Sequence, residues 1–156
     1  MKIQLAVFIL ISFNFTTVAQ IDFNNPPWEK KCEELSSQSE MNICSYESFL
    51  IADSILNTYY DSLFSYLDSQ YLNELKLSSD TSDNYRKEYL KQLSVQKEFV
   101  ISSKKDFNTF RKSTSKIVEY QYKGGTIQPM IVNIYARELT VNQIKVLINL
   151  MEEIMN

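Results

Sequence analysis

Apolar residues in the middle of the chain recur at helical spacing. Beyond Ile43, the positions Ala52, Leu56, Tyr59/Tyr60, Leu63 and Leu67 follow at steps of three and four, one face of an α-helix. The pattern predicts a helix over 40–76, broken where "KLSSDTSDN" replaces periodicity with small polar residues. A second helix is expected over 84–121. In it Tyr89, Leu93, Val100, Phe107, Phe110 and Ile117 keep a 4-3 repeat whose other steps are Gln96, Ser103 and Thr114. Such a seam packs on neighbouring helices. Pro129 suits a first helical position, so "PMIVNIYAREL" predicts a short helix over 129–136. "TVNQ" then has capping-box spacing, with Thr140 as N-cap and Gln143 three residues on. Ile144, Leu147/Ile148, Met151 and Ile154/Met155 give the stripe of a last helix over 140–155. With β-branched alternation nearly absent, the fold class is all-α, a small antiparallel helical bundle.

Composition trims the chain and narrows its chemistry. "MKIQLAVFILISFNFTTVA" has Lys2 at its start, an apolar run from Ile3 to Phe13 and small residues at Thr17-Val18-Ala19, the form of a cleavable signal peptide. The run falls short of the about 20 apolar residues a membrane span needs. The expected organisation is therefore a signal peptide over 1–19 and one exported domain over 20–156, periplasmic or secreted, with no membrane span after cleavage. Without Lys2 the balance is 15 bases against 19 acids, a net charge of −4. A mildly acidic domain is a poor nucleic-acid binder, carries no basic patch for anionic lipid, and is suited to a basic protein partner. The absence of histidine excludes Ser-His-Asp and Cys-His catalysis and the usual zinc sites. Two glycines exclude a P-loop or a GxGxxG fingerprint. No enzymatic activity, cofactor or metal is expected.

Cys32 and Cys44 are the only cysteines, and an even pair in an exported chain reads as a disulfide. On one unbroken helix, twelve residues would separate them by about 18 Å, whereas a bridge needs Cα atoms within about 4.4–6.8 Å. The chain must therefore reverse in "ELSSQSEMN". A first helical turn is expected over 29–36, linked by the disulfide to the next helix, and Ser37 to Glu40 has capping-box spacing to restart it. Trp28, just ahead of Cys32, is expected to dock the N-terminal segment on the bundle.

Several matches line up in order: "EMNIC" ending at Cys44, then Tyr46, Ala52-Asp53, Leu56-Asn57 and Tyr60. "FNTFR" (107–111), "YKGGTIQP" (122–129) and "ELT" (138–140) follow. This arrangement resembles the LprI-type lysozyme inhibitor family, exported helical domains, over about Lys31 to Leu150. The chain departs from the family pattern at its Trp, which is Phe107, and at its third and fourth cysteines, which are Ser115 and Tyr135. The loss of both together fits their pairing with each other. A family Gln is Lys104 here and an Arg in the last helix is Gln143.

The resemblance implies a non-catalytic protein-binding domain, in its specific form an inhibitor of a basic lysozyme-type glycosidase. The alternative is an envelope interaction or structural protein with an unrelated partner. Asp53, Asn57, Tyr60, Phe107 and Arg111 stand as structural residues of the motif. Asp53 and Arg111 are expected to face each other across the bundle, and Asn57 to cap or cross-link helices. Gly124 and Gly125, the only glycines, read as a helix stop. With Thr126, Ile127 and Pro129 they form the one loop suited to meet a partner. The ten tyrosines exceed what a core of this size uses, so some are expected at the surface.

Overall fold

The computed structural model describes residues 21–77 and 84–155; the expected signal peptide lies outside them. A short 3-10 turn, Cys32–Glu34, precedes three helices: α1, Gln38–Leu77; α2, Asn84–Gln121; and α3, Gln128–Met155. Among the described residues there is no strand. The helices pack as an antiparallel bundle in which α1 lies most extensively against α3, and α2 touches both.

The start of α1 is fixed locally. Ser37 sits just before the helix, where its hydroxyl accepts from the Glu40 amide at 3.2 Å. The Glu40 carboxylate accepts in return from the Ser37 amide at 3.2 Å and from the Ser36 and Ser37 hydroxyls. This capping box satisfies two amides that the first turn leaves without helical partners. The same hydrogen bonds, those of Ser36 and Ser37 first, hold the Glu40 carboxyl below its ordinary value of 4.5. At the other end Arg86 of α2 donates to the Leu77 carbonyl at 2.9 Å, closing α1 as α2 begins.

The core is built by α1 and α3. Ala52, Leu56, Tyr59, Tyr60, Leu63 and Leu67 bury the predicted face of α1 against Ile144, Leu147 and Met151 of α3. Each large side chain removed from water contributes about 1.5–3 kcal/mol. From α2 only Leu93 is fully buried. Tyr89, Val100 and Phe107 of α2 pack partly buried against the same core, and ion pairs add to the seam. The helix carries nine bases and four acids, whereas α1 carries six acids and one base. Asp53, Asp61 and Asp68 of α1 meet Arg111, Lys104 and Lys97 of α2, and Glu74 meets Arg86. The near-heptad spacing on both helices places these pairs rung by rung along an antiparallel seam. Lys97 also lies over the Phe64 and Tyr71 rings, with Nζ 5.5 and 4.8 Å from their centroids.

Four expectations are corrected here. Residues 29–36 do not form a helix beyond the 3-10 turn, because the disulfide and the Ser37 cap require the chain to change direction within that span. The helices expected over 129–136 and 140–155 are one, α3, and Thr140 is buried at its middle. Its hydroxyl donates to the Ala136 carbonyl at 2.7 Å, so it needs no cap role. The seam of α2 holds at Tyr89, Leu93, Val100 and Phe107, but Phe110 and Ile117 are exposed. A helix with 3.6 residues per turn drifts about 20° per heptad from a strict 3.5 repeat. After Phe107 the inward positions are accordingly Arg111, Thr114 and Val118. Finally, acidic though the chain is overall, α2 exposes Lys87, Lys91, Lys105, Lys112 and Lys116, a lysine-rich stripe that net charge conceals, with Glu98 and Glu119 among them and Lys91 paired with Glu88.

Candidate functional site

The motif residues converge inside the bundle. Arg111 of α2 points inward and places Nη1 2.6 Å from Asp53 Oδ1 of α1. It also donates to Thr140 Oγ1 of α3 at 2.7 Å and to Asn108 Oδ1 at 3.0 Å. Its guanidinium lies between the rings of Phe49 and Phe107, 5.1 and 5.3 Å from their centroids. One planar cation thus ties three helices, a task that a lysine point charge could not perform with the same directions. Asn57 stays on its own helix and does not cross-link. Its amide donates to the Asp53 carbonyl at 2.8 Å and lies 3.5 Å from Asp53 Oδ2, steadying the carboxylate.

Tyr60 repeats this arrangement two turns further along α1. Its buried hydroxyl accepts from Gln143 Nε2 of α3 at 2.9 Å and lies 3.3 Å from Ser103 Oγ of α2. Lys104, beside it, reaches Asp61 at 2.9 Å. Asp53, Asn57, Tyr60, Phe107 and Arg111 therefore form a polar and aromatic spine joining the helices. Arg111 leaves only 13% of its side chain exposed. The spine's side chains are engaged across α1, α2 and α3, which ties the helices together.

At the opposite end of α2 from its start, residues 122–127 connect it to α3. Gly124 adopts φ 83°, where a side chain is strained, and its amide donates to Gln128 Oε1 at 3.1 Å. The Gly125 amide donates to the Tyr122 carbonyl at 3.1 Å, and a Cβ on Gly125 would stand 3.3 Å from that same oxygen. Asn42 of α1 donates to the Thr126 carbonyl at 3.2 Å, anchoring the turn to the bundle. Thr126, Ile127 and Pro129 face solvent. The loop is an ordered, hydrogen-bonded turn with an exposed crest.

The disulfide lies near this end as well. Cys32 and Cys44 are bonded with Cα atoms 5.6 Å apart, which clamps the 3-10 turn to α1. Trp28 is buried, its carbonyl accepts from the Ser48 hydroxyl, and Phe23 packs edge-on against it at 5.9 Å. Arg137 of α3 donates to the same Ser48 oxygen at 3.1 Å, and Asn133 donates to Ser45 at 3.2 Å. The sequence reading missed these serines. Their signal was position: Ser45 and Ser48 continue the spacing of Ala52 and Leu56 toward the N-terminus, on the buried face.

A family model described as "Lysozyme inhibitor LprI" matches residues 29–147. The chain belongs to the LprI lysozyme inhibitor family. No curated protein and no solved structure matches it significantly. For an LprI member the geometry sorts the motif into two parts. Asp53, Tyr60, Phe107 and Arg111 are engaged in helix–helix contacts, whereas Tyr46, Phe110 and the glycine turn reach the surface. Ser115, where the family resemblance implies a cysteine, leaves a buried hydroxyl with no hydrogen-bond partner, the only such side-chain atom among the described residues. Among those residues no helix is long and apolar enough to cross a membrane.

Proposed function

We propose that this chain is an exported, non-catalytic inhibitor of a basic lysozyme-type glycosidase, presenting the turn Gly124 to Pro129 to the enzyme. The observation that carries the reading is membership of an inhibitor family over 29–147, nearly the whole of the described chain. Three features support it. The disulfide suits an oxidising compartment. The only glycine turn is ordered before any partner arrives, which lowers the entropic cost of binding. The α1 end of the domain is acidic, which steers a basic enzyme toward it.

The test is a cell-wall lysis assay with residues 20–156 titrated against a c-type lysozyme. Stoichiometric inhibition is expected, weakened by Thr126→Arg, which alters the exposed crest and leaves both glycines in place. Full lysis at high micromolar protein sinks the reading. A second reading, an envelope protein with an acidic partner, draws on the basic stripe of α2. Such a partner would be retained by the wild-type chain and lost from a variant with Lys105, Lys112 and Lys116 changed to Gln.

A further inference from the structure

The glycine turn is too small to be a whole interface. A specific complex covers about 800 Å² on each partner, around an apolar centre ringed by polar groups. The first turns of α1 supply such a centre. Ile43, Tyr46 and Leu50 follow at i, i+3 and i+7 and project from the side of α1 opposite its buried face. They remain 57%, 51% and 43% exposed. Partly exposed side chains of this size leave on the order of 100 Å² each in water, and together about the few hundred Å² at which an apolar patch marks a contact.

What flanks the patch indicates its partner. Asn42, one turn before Tyr46 on the same side, holds the Thr126 carbonyl, so the glycine turn borders the patch there. Toward the other side lie Glu40 and Glu47, and then Cys44, whose disulfide brings the 3-10 turn with Glu33 and Glu34 alongside. Residues 29–50 carry five carboxylates against two lysines. Each lysine pairs with one of these acids, Lys30 with Glu47 at 2.7 Å and Lys31 with Glu34 at 3.2 Å, which leaves the segment a net charge of −3. The acidic rim is fixed to rigid elements by the capping box and the disulfide. The exposed apolar residues of α2, by contrast, are interrupted by Asp106 and bordered by lysines, which suits a basic partner poorly.

We infer that Ile43, Tyr46 and Leu50 are the apolar centre of the surface that docks a basic glycosidase, with the glycine turn and the Glu33–Glu47 carboxylates as its rim. This inference rests on the inhibitor reading and extends it from one loop to a face. The experiment measures binding of c-type lysozyme by calorimetry and inhibition by lysis, for the wild type and three variants. Tyr46→Ala/Leu50→Ser is expected to weaken affinity at least tenfold, with inhibition falling in parallel and the thermal midpoint within about 2 °C of wild type. Tyr46→Arg, a single exposed change that sets a positive charge against a basic enzyme, is expected to weaken it as much. Phe110→Ser/Ile117→Ser on α2 is expected to bind as the wild type does. Unchanged affinity in both α1 variants, beside an inhibitory wild type, overturns the inference and leaves the inhibitor reading standing. Loss confined to the α2 variant overturns it in favour of the other face. A wild type that neither binds nor inhibits lysozyme overturns both.

Discussion

Arg111 shows how fully a motif residue can be engaged within the bundle. Its guanidinium makes an ion pair, two further hydrogen bonds and two ring contacts, each to a different side chain. Removing it leaves the Asp53 carboxylate without its cation, while the Thr140 hydroxyl keeps its bond to the Ala136 carbonyl. Loss of one partner of a fully buried pair costs about 3–5 kcal/mol. Asp53 keeps 29% of its side chain exposed, and solvent screening lowers the expected cost of Arg111→Ala to about 2–3 kcal/mol. The thermal midpoint should fall by roughly 10 °C at this chain length, and Arg111→Lys should recover only part of it. A midpoint unchanged by Arg111→Ala would show that the cation is incidental. Ser115 behaves in the opposite way. Its buried hydroxyl lacks a partner, and desolvating such a group costs about 1–3 kcal/mol. Ser115→Ala should therefore stabilise the domain by about 1 kcal/mol in urea unfolding, with an unchanged m-value.

Among the elements, the N-terminal clamp is the part most separable from the rest. The 3-10 turn packs on α1 alone, and the segment around Trp28 is held by burial of the Trp28 ring in the core, the disulfide, the Ser48 hydroxyl and the Lys30–Glu47 pair. Closing a loop this short contributes about 3 kcal/mol in the chain-entropy model. Cys32→Ser/Cys44→Ser should therefore keep its helical circular dichroism at 25 °C while Trp28, the only tryptophan, shifts its emission to the red at a lower temperature than the helices melt. Coincident transitions would mean that the clamp and the bundle are one cooperative unit. Much of this was legible in the sequence. Cys32–Cys44, the Ser37 cap, the start of α2 and the Gly124 turn follow from spacing and local chemistry, and the Asp53–Arg111 pair rests on the family motif, of which these are the two most conspicuous charges. The unbroken α3 was not legible, because Thr140 with Gln143 three residues on has the spacing of a helix start; in the fold Thr140 is buried, donates to the Ala136 carbonyl within the helix and accepts from Arg111, 29 residues away. Nor was the outward turn of Phe110 and Ile117, since a heptad and a straight helix differ only by a slow drift. The patch on α1 follows only when the predicted buried face is carried back past Ala52, which puts Ile43, Tyr46 and Leu50 on the opposite side of the helix.

At the scale of the whole molecule, net charge is a poor guide to what the domain attracts. The formal −3 of the whole sequence hides an acidic α1 and a basic α2, partly neutralised against each other along one seam and separate where each faces water. A basic enzyme approaching this domain is drawn by the carboxylates of residues 29–50 and repelled by Lys105, Lys112 and Lys116. Steering of this kind acts mainly on the association rate and fades once the Debye length falls below the separation of the charges, about 8 Å at physiological ionic strength. If the docking face is the α1 end, neutralising the three lysines to Gln should speed association with c-type lysozyme several-fold at 20 mM salt and leave dissociation unchanged. Neutralising Glu33 and Glu34 to Gln should slow it by a similar factor, and at 500 mM salt the three proteins should associate at nearly the same rate. Stopped-flow measurements at the two ionic strengths separate these effects from any change of contact, because lost contacts raise the dissociation rate at both. The opposite sign for the lysine variant, slower association when the basic stripe is removed, would place the encounter on α2 and show that the acidic clamp faces away from the partner.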